Sequence, residues 1–416
     1  MHVGRALLAC IPLICAAPWC ARAQEAPSNE ATNRAPDQTD QTVDTRAQYP
    51  AFLAHSFFAV NAGYIGYSFT QEQLEPGTRV ASIATPHIAA RIAVFGHEFG
   101  EHIAVQCTYM RPVRYVTYRD VNGDEHAHHV FAHFGGLTLQ ARTPITRRTF
   151  VYGEGGLGIT SRRGFSVEGR PAIDDAHYAS VLVGGGVDYR VSPTWTLTAG
   201  LTFSPASTAA REPHTVFASG GFRYTMRPLP QERVDAIRRA GFIFPAHLLQ
   251  LEYSTGFGYG INTFVSKSIP IFWGGNVKID RGFAVHYDQN VFHTTKIFAL
   301  DLGASVSSWR SLNDRNHFVT ASVYPLLRFI AIRTRAADVY FSYSLAGPTY
   351  VSRVVIDGMD TGNHFTFQDF MGAGVFFGAR RSMTAQVKIN HYSNGNIFTH
   401  NAGLKVPLTF GVGWTF

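Results

Sequence analysis

Val406-Pro-Leu-Thr-Phe-Gly-Val-Gly-Trp-Thr-Phe416 closes the chain, and its rhythm decides the fold. Every second residue is large and apolar: Val406, Leu408, Phe410, Val412, Trp414 and Phe416. Between them stand Pro407, Thr409, Gly411, Gly413 and Thr415, all small or polar. A period of two gives an extended strand with one oily face and one wet or crowded face.

Working backwards, the same rhythm recurs. Eight strands are expected near 249–260, 281–291, 296–309, 317–332, 337–350, 367–379, 383–394 and 404–416. Eight more fall near 56–69, 86–96, 101–118, 128–142, 148–162, 177–190, 194–205 and 215–226. Thr143-Pro-Ile-Thr146 and Val191-Ser-Pro-Thr194 read as tight turns, and longer polar segments alternate with such turns. That is the layout of an outer-membrane barrel, whose last strand ends on an aromatic residue as here. Strand 215–226 alternates clearly and resembles a closing strand in mid-chain. Between the two sets, Pro228 to Ala240 has helical character, with Pro230 in its first turn and Gly241 at its end.

The fold class expected is all-β: two eight-stranded antiparallel transmembrane β-barrels in tandem, with a short helical linker. One sixteen-stranded barrel is the alternative. The divisions are 1–23 a signal peptide, 24–50 a disordered leader, 51–227 an N-terminal barrel, 228–248 a partly helical linker and 249–416 a second barrel. The signal reading rests on Arg5, the apolar stretch Ala6 to Ala17, and Ala21-Arg22-Ala23 before Gln24. The leader is rich in Pro, Asn, Gln, Thr, Asp and Glu and cannot bury a core.

Losing the signal takes away Arg5 and Arg22 and no acid, so the formal charge falls from +7 to +5. That excess does not call for a nucleic-acid partner. Cys107 alone survives of four cysteines, so no intramolecular disulfide is expected. No run of about 18 apolar residues follows the signal, and the mean hydropathy lies near zero, as alternating faces produce.

Chemistry is concentrated in His391-Tyr-Ser393-Asn394. Counting from Met383, the apolar parity runs through Ala385, Val387 and Ile389 to His391 and Ser393. Residues two apart on one face lie about 7 Å apart at Cα, close enough for their side chains to meet. Serine beside histidine is the nucleophile–base pair of acyl transfer. On a lipid-facing wall its substrate would be an ester in the outer leaflet.

This segment resembles the catalytic strand of the lipid A 3-O-deacylases, the PagL-type acyloxyacyl hydrolases. The resemblance extends through Phe367-Gln-Asp-Phe-Met-Gly-Ala-Gly-Val375 and Tyr340-Phe-Ser-Tyr-Ser-Leu-Ala-Gly-Pro348, and covers about 249–416. It implies an eight-stranded outer-membrane barrel with its site on the outer wall. Ser393 would be the nucleophile, His391 the base, and Asn394 with nearby backbone N–H groups the oxyanion hole. It implies lipid A or lipopolysaccharide as substrate, without cofactor or metal. The family's third member, a Glu twelve residues after the Ser, falls here on Lys405. A hairpin turning near Arg380-Arg381 sets Asp369 against His391, on the apolar parity of Met371, Ala373 and Val375. Asp369 is therefore the expected orienter, with His400 and Asn401 as weaker candidates.

Other features are read as structural. Asp120, Asn122, Asp124, His126 and His128 form a polar loop with partial metal-ligand spacing. Asp301 and Arg223 have inward parity and suit lumen ion pairs. Trp195, Trp273, Trp309 and Trp414 suit interfacial anchors, although Trp309 has inward parity. The competing function is a non-catalytic structural or adhesion barrel, or a pore.

Overall fold

The computed structural model describes residues 45–268 and 275–416. The signal peptide, the leader as far as residue 44 and Trp273 lie outside the described residues. The chain divides into two compact units, each built around a closed barrel.

The first unit's strands are β1 (Ser56–Gly66), β2 (Val80–Ala84), β3 (Ile88–Phe99), β4 (Ile103–Pro112), β5 (Val116–Val121), β6 (Asp124–Pro144), β7 (Thr149–Arg163), β8 (Phe165–Val167), β9 (Arg170–Ile173), β10 (Ala176–Arg190), β11 (Trp195–Ser204) and β12 (Thr215–Thr225). Eight of them, β1, β3, β4, β6, β7, β10, β11 and β12, close a ring. Its seam is β12 against β1, with Val60 opposite Phe222. The mid-chain strand therefore closes a barrel of its own, which removes the sixteen-stranded alternative. The single strand expected over 101–118 is two, β4 and β5, broken after Pro112, which has no N–H to continue the ladder. β5 and β2 extend β6 instead of entering the ring.

The lumen is filled. Arg91 reaches Glu154 at 2.7 Å, and Gln106 donates to the same carboxylate at 2.7 Å. Arg223 donates to Asp188 and Gln140. Leu137, Leu157, Val181 and Leu201 are exposed on the exterior. Polar inside and apolar outside is the pattern a bilayer demands.

The second unit contributes β13 (His247–Ser254), β14 (Val277–His293), β15 (Phe298–Ser311), β16 (His317–Arg333), β17 (Ala337–Val351), β18 (Val355–Ile356), β19 (Met359–Asp360), β20 (Phe365–Phe377), β21 (Met383–Ser393) and β22 (Leu404–Thr415). All but the β18–β19 hairpin form a closed barrel, with β13 paired to β22 at Leu251 and Val412. A linker helix, Gln231–Arg239, precedes it. The end of the expected disordered leader is ordered here: Thr45–Ala47 makes a helical turn, and Ala47 is buried with Val234 and Ile237 of the linker helix. Tyr49 stacks on Phe292. Small and aromatic residues at the leader's end find a surface that composition alone did not reveal.

This lumen is also filled with charge. Glu252 takes Lys388 at 2.7 Å and His286 at 3.1 Å, while Arg328 spans Asp288 and Asp301. Glu252→Leu would leave a buried ammonium and imidazole facing each other. It should cost about 3–5 kcal/mol, seen as a lower denaturant midpoint of the refolded protein. An unchanged midpoint would show that the network does not support the barrel. Trp309 is buried inside, its Nε1 donating to Thr320 at 3.0 Å, so it is no interfacial anchor. Trp414 is exposed on the exterior.

Two departures from simple alternation shape the site. The strand expected over 249–260 stops at Ser254, and Tyr259–Ser268 forms a second helix, so the linker is not the sole helical stretch. Gly258 makes the exit possible: its φ is +89°, and a Cβ there would lie 2.7 Å from Leu408. Where β13 is missing, β14 and β22 pair directly in parallel, Val277 with Leu404 and Lys278 with Lys405.

The second departure is a bulge in β22. Lys388 faces Thr409, but Asn390 faces Val406, so β22 spends one extra residue there. Pro407, lacking an N–H, sits in the gap. Beyond it the faces exchange. Val406, expected on the oily exterior, is buried with Tyr392 and Trp309. Lys405 comes out opposite His391.

Candidate active site

β20 and β21 pair without a break, Asp369 against His391 and Phe367 against Ser393. Their neighbours fix the sidedness. Gln368 bonds Tyr392 and Ser305 within the lumen, and Phe370 packs on His286 and Tyr324 there. Alternation therefore turns Asp369, His391 and Ser393 to the exterior.

His391 Nδ1 lies 2.8 Å from Asp369 Oδ1. A carboxylate accepts only, so it holds the proton on Nδ1 and leaves Nε2 as the basic nitrogen. Both residues are nearly inaccessible, at 1% and 5% exposed. Buried charge at an exterior position is expensive unless paired; the imidazole meets Asp369 Oδ1, while Oδ2 is buried with no hydrogen-bond partner among the described residues. The carboxylate reaches the imidazole from β20. On the opposite side, where the resembled family carries its acid, stands Lys405, whose Nζ is 3.4 Å from Thr263 Oγ1 of the second helix.

Ser393 shares the face but not a bond with His391 among the described residues. Its Oγ lies 2.9 Å from Asn401 Nδ2 and 3.2 Å from Asn401 Oδ1, and accepts from Gly395 N at 3.1 Å. Gly395, at φ +66°, lets the backbone double back so that its N–H meets that hydroxyl. Asn394 is buried, and its Nδ2 donates to His400 O at 2.7 Å while its backbone N donates to Asn401 Oδ1. The donors beside the hydroxyl are thus Gly395 N–H and Asn401 Nδ2, not the Asn394 amide.

Asn401, weighed as a partner for the imidazole, belongs to the serine instead. Extending the β21–β22 ladder past Tyr392 and Leu404 sets Gly403 opposite Ser393, so register alone does not point to Asn401. His400 lies away from the pair, 4.0 Å from Asp360. In the first barrel, Asp124 accepts from His126 and His128, and Asn122 accepts from Arg79 N. Among the described residues, no group of three or more His, Cys, Asp or Glu side chains could hold a metal ion.

Fold and site together define a pair of small β-barrels, the second bearing a carboxylate–imidazole pair and a serine on its exterior wall. Residues 281–413 match the family described as lipid A 3-O-deacylase. No curated protein matches the chain. Among solved structures, the outer membrane enzyme PagL is similar at 16% identity, covering 40% of this chain and 98% of its own, with a TM-score of 0.29. Neisserial surface protein A is similar at 15% identity, covering 41% and 97%, with a TM-score of 0.28. The N-terminal β-barrel domain of Pseudomonas aeruginosa OprF follows at 13% identity, 41% and 98%, with a TM-score of 0.25.

Proposed function

We propose that the second barrel is an outer-membrane esterase that removes an ester-linked acyl chain from lipid A. The observation carrying this reading is the 2.8 Å Asp369–His391 pair on the exterior, with Ser393 two residues along the same face. The family match over 281–413 supplies the substrate class.

In this reading Ser393 turns from Asn401 towards His391 Nε2 and attacks the ester carbonyl. His391 takes the hydroxyl proton, and Asp369 stabilises the imidazolium. Gly395 N–H and Asn401 Nδ2 face the oxyanion, and Asn394 braces the loop that presents them. The sugar oxygen leaves with the proton held by His391. Water then attacks the acyl-serine, His391 takes its proton and gives it to the departing Ser393 Oγ, and the fatty acid leaves.

A non-catalytic barrel has one observation in its favour: the Ser393 hydroxyl is bonded into its own turn. A pore has none, since both lumens are crossed by ion pairs. Mass spectrometry of lipid A incubated with the refolded protein separates the first two. The esterase yields lipid A lighter by one acyl chain plus free fatty acid. Unaltered lipid A would leave the structural reading.

A further inference from the structure

We propose that the second helix, Tyr259–Ser268, is a lipid-facing lid on the barrel's exterior that must leave β21 and β22 before an acyl ester reaches His391. The proposal rests on the esterase reading for its purpose, but the movement itself is measurable without turnover.

The wall does not need this helix. The chain leaves β13 at Ser254 and returns at Val277, and behind that excursion β14 and β22 already pair with each other. Lifting the helix away opens no gap between strands and strands no ladder. This separates it from the eight strands of the wall.

Side-chain contacts hold it to the wall, beginning with Tyr259, whose hydroxyl donates to Ile279 O. Val265 and Leu408 each pack against the exterior cluster of Tyr343, Met371 and Ile389 beside the site. Asn262 Nδ2 donates to Val406 O at 2.8 Å and to Asn390 O at 3.5 Å, the carbonyls around the Pro407 bulge. Thr263 meets Lys405, the residue opposite His391. The start of the excursion is pinned, with Thr255 N bonded to Leu408 O and Leu408 N to Phe257 O. Gly258 and Gly260 follow that anchor and supply a hinge.

The helix turns its apolar residues the wrong way for water. Ile261 and Phe264, three apart on the helix, are 44% and 69% exposed, with Phe257 just before it also exposed, while Asn262 is buried against the wall. Such a helix suits hydrocarbon on its outer side. The exposed side chains of β22 itself, Phe410, Val412 and Trp414, make the surrounding exterior equally apolar, so the occupant of this face is the bilayer's acyl chains.

The need for movement lies beside it. His391 faces the exterior yet is 1% exposed, and an imidazole so covered cannot exchange a proton with an incoming ester.

The test uses the full chain in vesicles of phosphatidylcholine and lipid A, in a Cys107→Ser background. A cysteine pair, Val265→Cys with Ile389→Cys, both in one packed cluster, fastens the lid. Oxidation should cut acyl release at least about tenfold, and reduction should restore it. Equal rates from the cross-linked and reduced forms overturn the lid. Spin labels at Phe264→Cys and Val412→Cys provide the second measurement. The proposal expects a longer distance population when lipid A is added, whether or not the ester is cleaved. A single unchanged distance overturns the lid, whereas unaltered lipid A from the wild type overturns only the esterase.

Discussion

Ser393→Ala leaves the barrel folded and lowers acyl release by about 10³- to 10⁶-fold, the range seen when a nucleophile that works as a unit with its base is removed. Among the described residues the lost hydroxyl bonds Asn401 and Gly395 N, both in the turn after β21, so the stability cost is about 1 kcal/mol. The two effects separate cleanly. Fatty-acid release measured against the thermal unfolding of the same preparation gives the comparison. A variant that unfolds like the wild type but cleaves nothing assigns the hydroxyl to chemistry. A variant that still releases acyl chains at the wild-type rate removes Ser393 from the mechanism.

Asp369→Asn should lower turnover by about 10²- to 10⁴-fold while KM changes little. An amide keeps the shape, but it can present N–H to Nδ1 and select the wrong imidazole tautomer. The carboxylate's place can also be moved. Lys405 stands across His391 from Asp369, so Lys405→Glu in the Asp369→Asn background restores a carboxylate on the other neighbouring strand. About tenfold recovery is expected, smaller than full rescue because Thr263 no longer meets an ammonium there. If Asp369→Asn costs nothing, Asp369 is a structural partner of the imidazole and not its orienter.

Much of this site could be read from spacing. The turn near Arg380-Arg381 sets register, register sets Asp369 against His391, and parity sends both outward; each step uses only the geometry of antiparallel strands. The strand at 215–226 announced closure because its alternation ran unbroken, and it does pair with β1. What escaped were interruptions of that period. Pro407 looked like one more small residue between Val406 and Leu408, but a proline without an N–H favours a bulge, and a bulge exchanges the faces beyond it. Lys405 therefore stands outside and Val406 inside. Pro112 divided a strand for the same reason.

The helix at Tyr259–Ser268 was hidden more deeply. Ile261, Thr263, Phe264 and Val265 are β-branched or aromatic, and local preference favours a strand. The wall decides otherwise, because β14 and β22 close on each other and leave that segment outside. Asn401 was missed as the serine's partner because the period-two argument stops at Ser393, where the chain turns through Gly395 at positive φ.

The most direct measurement is covalent. A lipid-soluble fluorophosphonate carried in the bilayer reacts with an activated serine, and peptide mass spectrometry locates the adduct. Label should appear on Ser393 in the wild type and fall away in His391→Ala, because the hydroxyl gains its reactivity from that imidazole. Label absent from Ser393, or equally strong without the histidine, would contradict an acyl-transfer site on the barrel's outer wall.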